Sequence, residues 1–278
     1  MTWVLLVFII SGQAGFAQSL LDISKLGHNE KVGHYLDVRG FKMYYETYGT
    51  GEPLLFIHGN GGAMDNFAHQ VAFFSKKYKL ILADSRAQGK SVDRSDSLTY
   101  EMMADDFSAL LDYLKVDSCN VIGWSDGGIN GLLLALRHPK KVKRLAVTGA
   151  NLWPDTTAID PWLYKAMVND DNRLAGLTET PENRNARKLV KLMLDQPHIR
   201  TADLKKITCP SLIIGGDHDV ILPRHTLLIA ESIPNSYLWI LPNSGHSTLI
   251  TYKNEFNKTI MDFLTKPYRK IEGPKRIQ

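Results

Sequence analysis

Cysteine is scarce in this chain: Cys119 and Cys209 are the only two among 278 residues. Each opens a predicted core strand, and we expect a further strand to lie between these two. Two strand spacings amount to roughly 9.6 Å, which exceeds the limit of about 7 Å for the Cα atoms of a disulfide. The sequence therefore predicts two free, buried thiols, although an exported chain would permit a disulfide.

A strong excess of one charge is also missing. Lysine and arginine number 33 against 29 aspartates and glutamates, which leaves a formal net charge of +4. The basic C-terminal stretch KPYRKIEGPKRIQ is typical of a solvated tail. Because no compact basic cluster with interleaved aromatic residues occurs, we expect no nucleic-acid partner.

Apolar runs long enough to cross a bilayer are not found at the N-terminus. The run from Trp3 to Ile10 is too short for a spanning helix. Its length, together with the small residues Gly15 and Ala17, is typical of a secretory signal, although no lysine or arginine precedes it. We expect residues 1–17 to be a signal peptide that is cleaved before Gln18. The mature chain would then be secreted or periplasmic, with no stable membrane insertion; an uncleaved anchor or a buried N-terminal element is the alternative.

After the leader, apolar strands alternate with amphipathic helices. The segments YLDVRG and FKMYYETYG predict an antiparallel hairpin that turns at Arg39-Gly40. Continuous apolar runs such as PLLFIHGNGG and KLILADSRAQGKS predict strands that are buried on both faces. The alternation predicts an α/β fold with a mostly parallel central sheet and helices on both faces.

Strand signals vanish between residues 151 and 206, where only helical pieces such as WLYKAMVND and NARKLVKLMLDQ remain. The alternation resumes in residues 207–278. We therefore predict one core formed by residues 18–150 and 207–278, with residues 151–206 inserted as a small helical cap. Such a cap would cover the carboxyl edge of the sheet, where open parallel sheets bind their ligands.

A serine between two glycines marks a predicted strand-to-helix joint in VIGWSDGGINGLLLALRHP. The pattern G-W-S-D-G fits the G-x-S-x-G elbow, in which a serine in strained backbone projects its hydroxyl above the sheet. Residues 120–123 are typical of a short apolar strand, and an apolar helix face begins at Gly131. Ser125 is therefore the candidate nucleophile, with Gly123 and Gly127 leaving room for the tight turn.

Two backbone amides are candidates for binding the oxyanion that forms when a serine attacks a carbonyl. The N–H of Asp126 lies at the start of the helix, where the positive helix end favours negative charge. The N–H of Asn60 follows the strand that ends at Ile57, in the loop His58-Gly59-Asn60. A glycine-rich turn with a structural histidine is the alternative interpretation of that loop.

A base and an orienting acid should follow the serine in the order Ser, Asp, His. Of the histidines after Ser125, only His246 falls in a loop just beyond a predicted strand at the sheet edge of the serine. His246 is therefore the candidate general base. Asp217 and Asp219 both follow a buried strand, and we favour Asp219 because it lies further from the strand, where the loop turns into the next helix.

These motifs together resemble the α/β-hydrolase fold superfamily, which matches HGNGG, DSRAQGKS, GWSDGG, GGDHDVILP and NSGHS in that order. The resemblance implies the roles given above for Ser125, Asp219, His246, Asn60 and Asp126, and it also favours Asp219 over Asp217. Ala87 stands where the superfamily usually has glycine in D-x-R-G-x-G-x-S. An aspartate nucleophile, found in several dehalogenases and epoxide hydrolases of the superfamily, is absent here.

GWSDGG, HDVILPRH and EFNK…DFL are similar to the biphenyl-hydrolase-like proteins, the family of valacyclovir hydrolase. That similarity implies that Asp126, besides its backbone role, binds the α-ammonium group of a substrate. An aspartate in the first turn of a helix is, however, also favoured by the helix dipole whatever its function.

The expected function is therefore that of a serine hydrolase acting on small carboxylic esters, with no metal and no organic cofactor. Alternatives are an α-amino-acid ester hydrolase or aminopeptidase that uses Asp126, a carbon–carbon bond hydrolase, and a non-catalytic ligand-binding member of the fold. Separately, Asn257-Lys258-Thr259 fits a glycosylation acceptor.

Overall fold

The computed structural model describes residues 22–277, so the predicted leader, residues 1–17, lies outside the described part of the chain. One sheet of eight strands runs through the molecule in the order β1-β2-β4-β3-β5-β6-β7-β8. The strands are β1 (Gly33–Val38), β2 (Phe41–Tyr48), β3 (Glu52–Ile57), β4 (Tyr78–Ala83), β5 (Cys119–Trp124), β6 (Val142–Thr148), β7 (Ser211–Gly216) and β8 (Ser236–Leu241). β2 pairs antiparallel with β1 and with β4, and the remaining pairs are parallel. The predicted mostly parallel sheet with an antiparallel hairpin is confirmed.

The hairpin turn between β1 and β2 consists of Arg39 and Gly40. Their φ angles are 45° and 89°, and both therefore lie in the left-handed region. Two such residues form the type of tight turn whose twist matches that of paired strands. The register follows from it, with Val38 opposite Phe41.

Helices cover both faces of the sheet. They are α1 (Ala68–Phe74), α2 (Tyr100–Tyr113), α3 (Asp126–Arg137), α4 (Pro161–Ala175), α5 (Pro181–Asp195), α6 (Thr201–Leu204), α7 (Pro223–Ser232), α8 (Thr248–Thr251) and α9 (Lys253–Thr265). The start of α2 shows how local sequence sets a boundary, because the Thr99 hydroxyl accepts the N–H of Met102 at 3.1 Å. Within residues 22–277, no helix is both long and apolar enough to cross a membrane.

Alternate residues of the strands face two separate cores. Along β3, Leu55 and Ile57 pack in the core with α2, α3 and α7. Leu54 and Phe56 pack in the other core, with α1 and α9. Burial on both faces explains why this strand is continuously apolar in sequence.

The two cysteines are free, as predicted. Cys119 begins β5 and Cys209 lies two residues before β7, with β6 between these strands. Cys119 is buried, but Cys209 is only half-buried, so the predicted burial is wrong for Cys209. The reason is its place before β7, outside the strand itself.

The glycosylation pattern at Asn257 is not accessible in the folded chain. Asn257 lies in α9 with 5% of its surface exposed. Its Nδ2 donates to the carbonyl of His69 at 3.2 Å, and its Oδ1 accepts from Gln70 at 3.0 Å. The side chain therefore joins α9 to α1, which argues against its use as a glycosylation acceptor.

Three helices, α4, α5 and α6, lie between β6 and β7, in the segment predicted to be a cap. A β-bridge between Ile159 and Ile221 links the start of the segment to the loop after β7. Beside it, the N–H of Asp160 donates to the carbonyl of Val220 at 2.8 Å. Ile159 and Ile221 also share a small apolar cluster with Met167 of α4.

Candidate active site

The turn from β5 into α3 holds Ser125 in an unusual backbone conformation. Its φ and ψ angles are 57° and −122°, a region that L-residues rarely adopt. The N–H of Ser125 donates to the carbonyl of Thr148 at 2.8 Å, which ties the turn to β6. α3 begins at Asp126, five residues before Gly131, so Ser125 lies immediately before the helix.

Two glycines make the turn possible. A Cβ atom at Gly123 would collide with the carbonyl oxygen of Gly127, and one at Gly127 would collide with the carbonyl oxygen of Ile57. Both obstacles are backbone atoms, which cannot move away as a flexible side chain can. The structure thus gives the glycines of G-x-S-x-G the role that the sequence predicts.

Ser125, His246 and Asp219 come from three different loops and form one hydrogen-bonded chain. The Oγ atom of Ser125 lies 2.9 Å from Nε2 of His246. Nδ1 of His246 lies 2.7 Å from Oδ1 of Asp219. With its proton on Nδ1, the imidazole donates to Asp219 and leaves the Nε2 lone pair for the serine proton. This is the geometry that general-base activation of a hydroxyl requires.

Asp219 and Asp217 have separate environments. Asp219 is buried, and its Oδ1 also accepts the N–H of Ile221 at 3.0 Å. Asp217 instead accepts the N–H groups of Asn243 and Ser244, each at 2.9 Å. These bonds hold the pKa of Asp217 well below its usual range. Asp217 therefore holds the loop that carries His246, and only Asp219 contacts the imidazole.

The loop after β3 lies directly against the serine. A Cβ atom at Gly59 would be 3.1 Å from Cβ and 3.7 Å from Oγ of Ser125. Asn60 therefore directly follows Gly59, the residue that lies against the nucleophile. Asp126 begins α3, and the N–H at such a position has no partner within its own helix. The two predicted oxyanion donors thus belong to segments that both adjoin Ser125.

The Asp126 side chain is buried beside these donors, with 4% of its surface exposed. Asn60 Nδ2 donates to its Oδ2 at 2.8 Å. Burial raises the pKa of Asp126 to about 6, against the opposing effect of Asn60, the Tyr100 hydroxyl and the nearby His246. The carboxylate is therefore held by Asn60 and has the Tyr100 hydroxyl as a polar neighbour.

His58, in the loop that carries Asn60, has a structural role. His58 is buried, and its Nε2 accepts the N–H of Ser85 at 2.9 Å while Nδ1 lies 2.8 Å from the Gly59 carbonyl. This pairing requires a neutral ring with its proton on Nδ1, and burial lowers the pKa of His58. His58 therefore fixes the shape of the loop that carries Asn60.

Two residues that the sequence analysis missed support His246. Gly149 follows β6 with a φ angle of 65°, and a Cβ atom there would lie 2.7 Å from Cε1 of His246. The indole Nε1 of Trp124 donates to the His246 carbonyl at 3.0 Å. Gly149 could have been found from the sequence, because it is a glycine directly after a strand that ends at the same sheet edge as Ser125. Nothing in the sequence near Trp124 predicts its contact with His246.

Helix α5 of the inserted segment lies close to the same edge. Asn185 Nδ2 donates to the carbonyl of Ala87 at 2.8 Å, and Lys188 Nζ donates to the carbonyl of Ser95 at 2.7 Å. The Leu189 carbonyl accepts from Asn60 Nδ2 at 3.3 Å. Ala87 has a φ angle of 66°, so the loop has the left-handed backbone conformation that the glycine expected from the superfamily pattern would favour.

A cleft of about 790 Å³ opens between α4, α5 and residues 96–99, but Ser125 is not among its lining residues. Its cations are paired with acids: Arg184 with Glu179 at 3.1 Å, and Arg187 with Asp171 at 2.7 Å. The position of the serine, rather than this cleft, therefore defines the candidate active site. Among residues 22–277, no group of three or more metal-ligating side chains is placed to hold an ion.

Comparison with known proteins identifies the superfamily of the chain. A model of the alpha/beta hydrolase fold matches residues 52–186. The chain is 28% identical to human Serine hydrolase BPHL over 248 residues, which cover 82% of this chain and 84% of the human protein. The chain belongs to the α/β-hydrolase superfamily.

Two further comparisons show that the chain resembles hydrolases with different names. The chain is 25% identical to the 2-hydroxymuconate semialdehyde hydrolase of Pseudomonas sp. strain CF600, with 86% of this chain and 96% of that protein covered. A thermophilic esterase from Thermogutta terrifontis has the same fold, with a TM-score of 0.72, 21% identity, and 85% and 99% of the two chains covered. The likeness to the biphenyl-hydrolase-like proteins expected from the sequence is confirmed, and the chain is a hydrolase.

Proposed function

We propose that this hydrolase cleaves small carboxylic esters through Ser125, His246 and Asp219. The observation that carries the proposal is the unbroken chain of hydrogen bonds from Ser125 Oγ to His246, at 2.9 Å, and on to Asp219, at 2.7 Å. A serine with the unfavourable φ of 57° immediately before a helix supports it, because the strain is sustained only where the surrounding structure imposes it.

The reaction proceeds in two halves. Ser125 Oγ attacks the carbonyl carbon as His246 Nε2 takes its proton, and the backbone N–H groups of Asn60 and Asp126 bind the oxyanion. His246 then returns the proton to the leaving alcohol, and an acyl-serine remains. Water attacks that ester with His246 again as base, and release of the carboxylic acid restores the serine.

A substrate panel tests this proposal. Initial rates would be measured on p-nitrophenyl acetate, butyrate and octanoate, with Ser125→Ala beside the native protein. We expect turnover by the native chain and a loss of about three or more orders of magnitude in the variant. Absence of both ester turnover and fluorophosphonate labelling in a folded native chain would instead favour a ligand-binding role.

A narrower substrate class, α-amino-acid esters, is favoured by the buried Asp126 carboxylate next to the nucleophile. The biphenyl-hydrolase-like resemblance supports the same class. A free-amine amino-acid ester would be compared with its N-acylated form. Equal kcat/KM values for the two would eliminate Asp126 as an ammonium site. A faster free-amine ester, with the preference lost in Asp126→Asn, would support it.

Carbon–carbon bond hydrolysis is the second alternative, because a relative at 25% identity is named a 2-hydroxymuconate semialdehyde hydrolase. A panel of diketone-type substrates, run at the same enzyme concentration as the esters, separates the two classes. Turnover confined to the diketones, and lost in Ser125→Ala, would replace the ester proposal.

We also propose that the chain is exported and that its leader is cut before Gln18. The pattern of residues 1–17, a short apolar run followed by small residues, supports this. Expression of the full chain followed by mass measurement of the secreted form tests it. A product that retains Met1 and stays with the cells would contradict export.

A further inference from the structure

The side chains of Asn60 and Asp126 are bonded to each other across the candidate oxyanion hole. Asn60 Nδ2 lies 2.8 Å from Oδ2 of Asp126, although the residues are 66 positions apart. These are the same two residues whose backbone N–H groups are proposed to bind the oxyanion. The bond therefore spans the two loops that must hold their donors at a fixed separation.

Each end of this bond has a further polar neighbour. The second Nδ2 contact of Asn60 is with the Leu189 carbonyl of α5, at 3.3 Å. Asp126 also has the hydroxyl of the fully buried Tyr100 of α2 as a neighbour that lowers its pKa. The amide group thus connects the oxyanion loop to the nucleophile turn on one side and to α5 on the other.

We propose that Asn60 and Asp126 form a clamp, in which their side-chain hydrogen bond positions the two backbone N–H donors for the oxyanion. The inference rests on the proposed ester hydrolysis. In this role the Asp126 carboxylate would contribute to the cleavage of every ester substrate, whether or not the substrate carries an ammonium group.

The physical reason is preorganisation. Oxyanion donors stabilise a transition state best when they are already aimed at the developing charge, because no reorganisation is then needed during the reaction. A loop rich in glycine, such as His58 to Gly62, has many backbone conformations available. A charge-assisted hydrogen bond to a buried carboxylate restricts that freedom at one point.

Kinetics on p-nitrophenyl acetate, which carries no ammonium group, test the clamp. Asn60→Ala, Asp126→Ala and the double variant all keep both backbone N–H groups. We expect each single variant to lower kcat about ten-fold with KM changed by less than about two-fold. The double variant should be no worse than the poorer single variant, because either change breaks the same bond.

Two matched variants separate positioning from general damage. Asp126→Asn keeps an oxygen that can accept from Asn60, and should recover most of the kcat lost in Asp126→Ala. Tyr100→Phe removes the hydroxyl beside Asp126 but leaves the clamp, and should lower kcat less than Asn60→Ala. Asn60→Ala with native kcat, or single effects that multiply in the double variant, would overturn the clamp.

Asn60→Asp supplies a readout that remains if the alanine variants fail to fold. Two facing carboxylates repel at pH 8, whereas a shared proton restores the bond near pH 5.5. The titratable groups facing Asp126 are Tyr100 and His246. Both are present in the native protein, so dividing the variant kcat by the native kcat at each pH corrects for their titration. We expect the ratio of variant to native kcat to rise at least about five-fold from pH 8 to 5.5; a flat ratio overturns the clamp.

Hydrogen exchange keeps failure of the clamp distinct from failure of the proposed function. In both Asn60→Ala and Asp126→Ala, the peptide containing residues 58–62 should exchange faster than in the native chain. If the native protein does not turn over esters but exchange is still faster in both variants, only the proposed function is rejected. Unchanged exchange in both variants would overturn the clamp whether or not the native chain cleaves esters.

Discussion

Oδ1 of Asp219 lies 2.7 Å from Nδ1 of His246, and the N–H of Ile221 bonds to the same oxygen at 3.0 Å. The carboxylate is thus fixed by backbone before it orients the imidazole. Asp219→Asn should lower kcat on p-nitrophenyl esters by about three to four orders of magnitude, because the amide favours the wrong tautomer. Asp217→Asn is the matched control, since Asp217 does not touch the ring. Equal losses in both variants would contradict the assignment.

Asp217 should instead affect stability, in a pH-dependent way. The N–H groups of Ser244 and Asn243 lower its pKa in the folded chain from an ordinary value of 3.8. A group with a lowered folded pKa stabilises the fold above its unfolded pKa, and that contribution is lost as the pH falls. Asp217→Asn should therefore lower the thermal midpoint at pH 7, with a smaller difference at pH 3. A constant difference would show that charge is not the cause.

Trp124 should contribute to turnover through the loop that carries His246. Its indole N–H donates to the His246 carbonyl at 3.0 Å, a bond that Trp124→Phe removes. We expect kcat to fall about two- to ten-fold, the equivalent of one neutral hydrogen bond. Trp162→Phe, at an indole that is 72% exposed on α4, is the control and should leave kcat unchanged.

Gly149 should not tolerate a side chain. A Cβ atom there would be 2.7 Å from Cε1 and 2.8 Å from Nδ1 of His246, and the φ angle of 65° already disfavours alanine. Gly149→Ala should displace the imidazole and reduce kcat by at least about ten-fold. Gly176→Ala, whose Cβ atom would have no neighbour closer than 3.6 Å, should retain native turnover. Native kcat in Gly149→Ala would contradict the crowding argument.

Glu46 should anchor the segment that precedes the sheet. Its side chain is fully buried and accepts four hydrogen bonds, from the N–H groups of Gly27 and Asn29 and the hydroxyls of Tyr44 and Tyr48. Glu46→Ala would leave these donors unpaired and should lower the free energy of unfolding by at least about 2 kcal/mol. Urea unfolding measures this.

The control for Glu46 is Glu52→Ala. Glu52 pairs with Lys143 at 2.8 Å, but both side chains are more than two-fifths exposed. An exposed pair contributes at most about 1 kcal/mol. Similar losses in the two variants would argue against a special role for the buried carboxylate.

His225 should make the fold sensitive to mild acid. Burial lowers its pKa from 6.5 to about 4, and its Nε2 accepts the N–H of Leu152 at 2.9 Å. Because the folded pKa is the lower one, stability should fall as the pH decreases from about 6.5 towards 4. His225→Gln keeps an acceptor without the titration, and its thermal midpoint should fall less over that range. Parallel curves for the two proteins would exclude His225 as the cause.

The sequence was informative wherever a residue's task depends on its immediate neighbours. The hairpin turn at Arg39-Gly40 follows from local backbone chemistry, and it is present. The apolar face of α3 was recognisable only from Gly131, because the first turn, which begins at Asp126, contains Gly127 and Gly128 and carries no apolar pattern. The pattern at Asn257 was misleading, because three letters do not tell whether an asparagine is buried.

For the candidate site, chain order and strand ends predicted Ser125 and His246, and the superfamily resemblance added to the preference for Asp219 over Asp217. Parallel strands bring their carboxyl ends to one edge, so residues distant in sequence become neighbours there. The tertiary structure alone decided the contacts between loops: Trp124 with His246, Gly149 beside the imidazole, and Asn60 with Asp126. Such contacts depend on how neighbouring strands are registered and how their loops pack, and no short stretch of sequence contains that information.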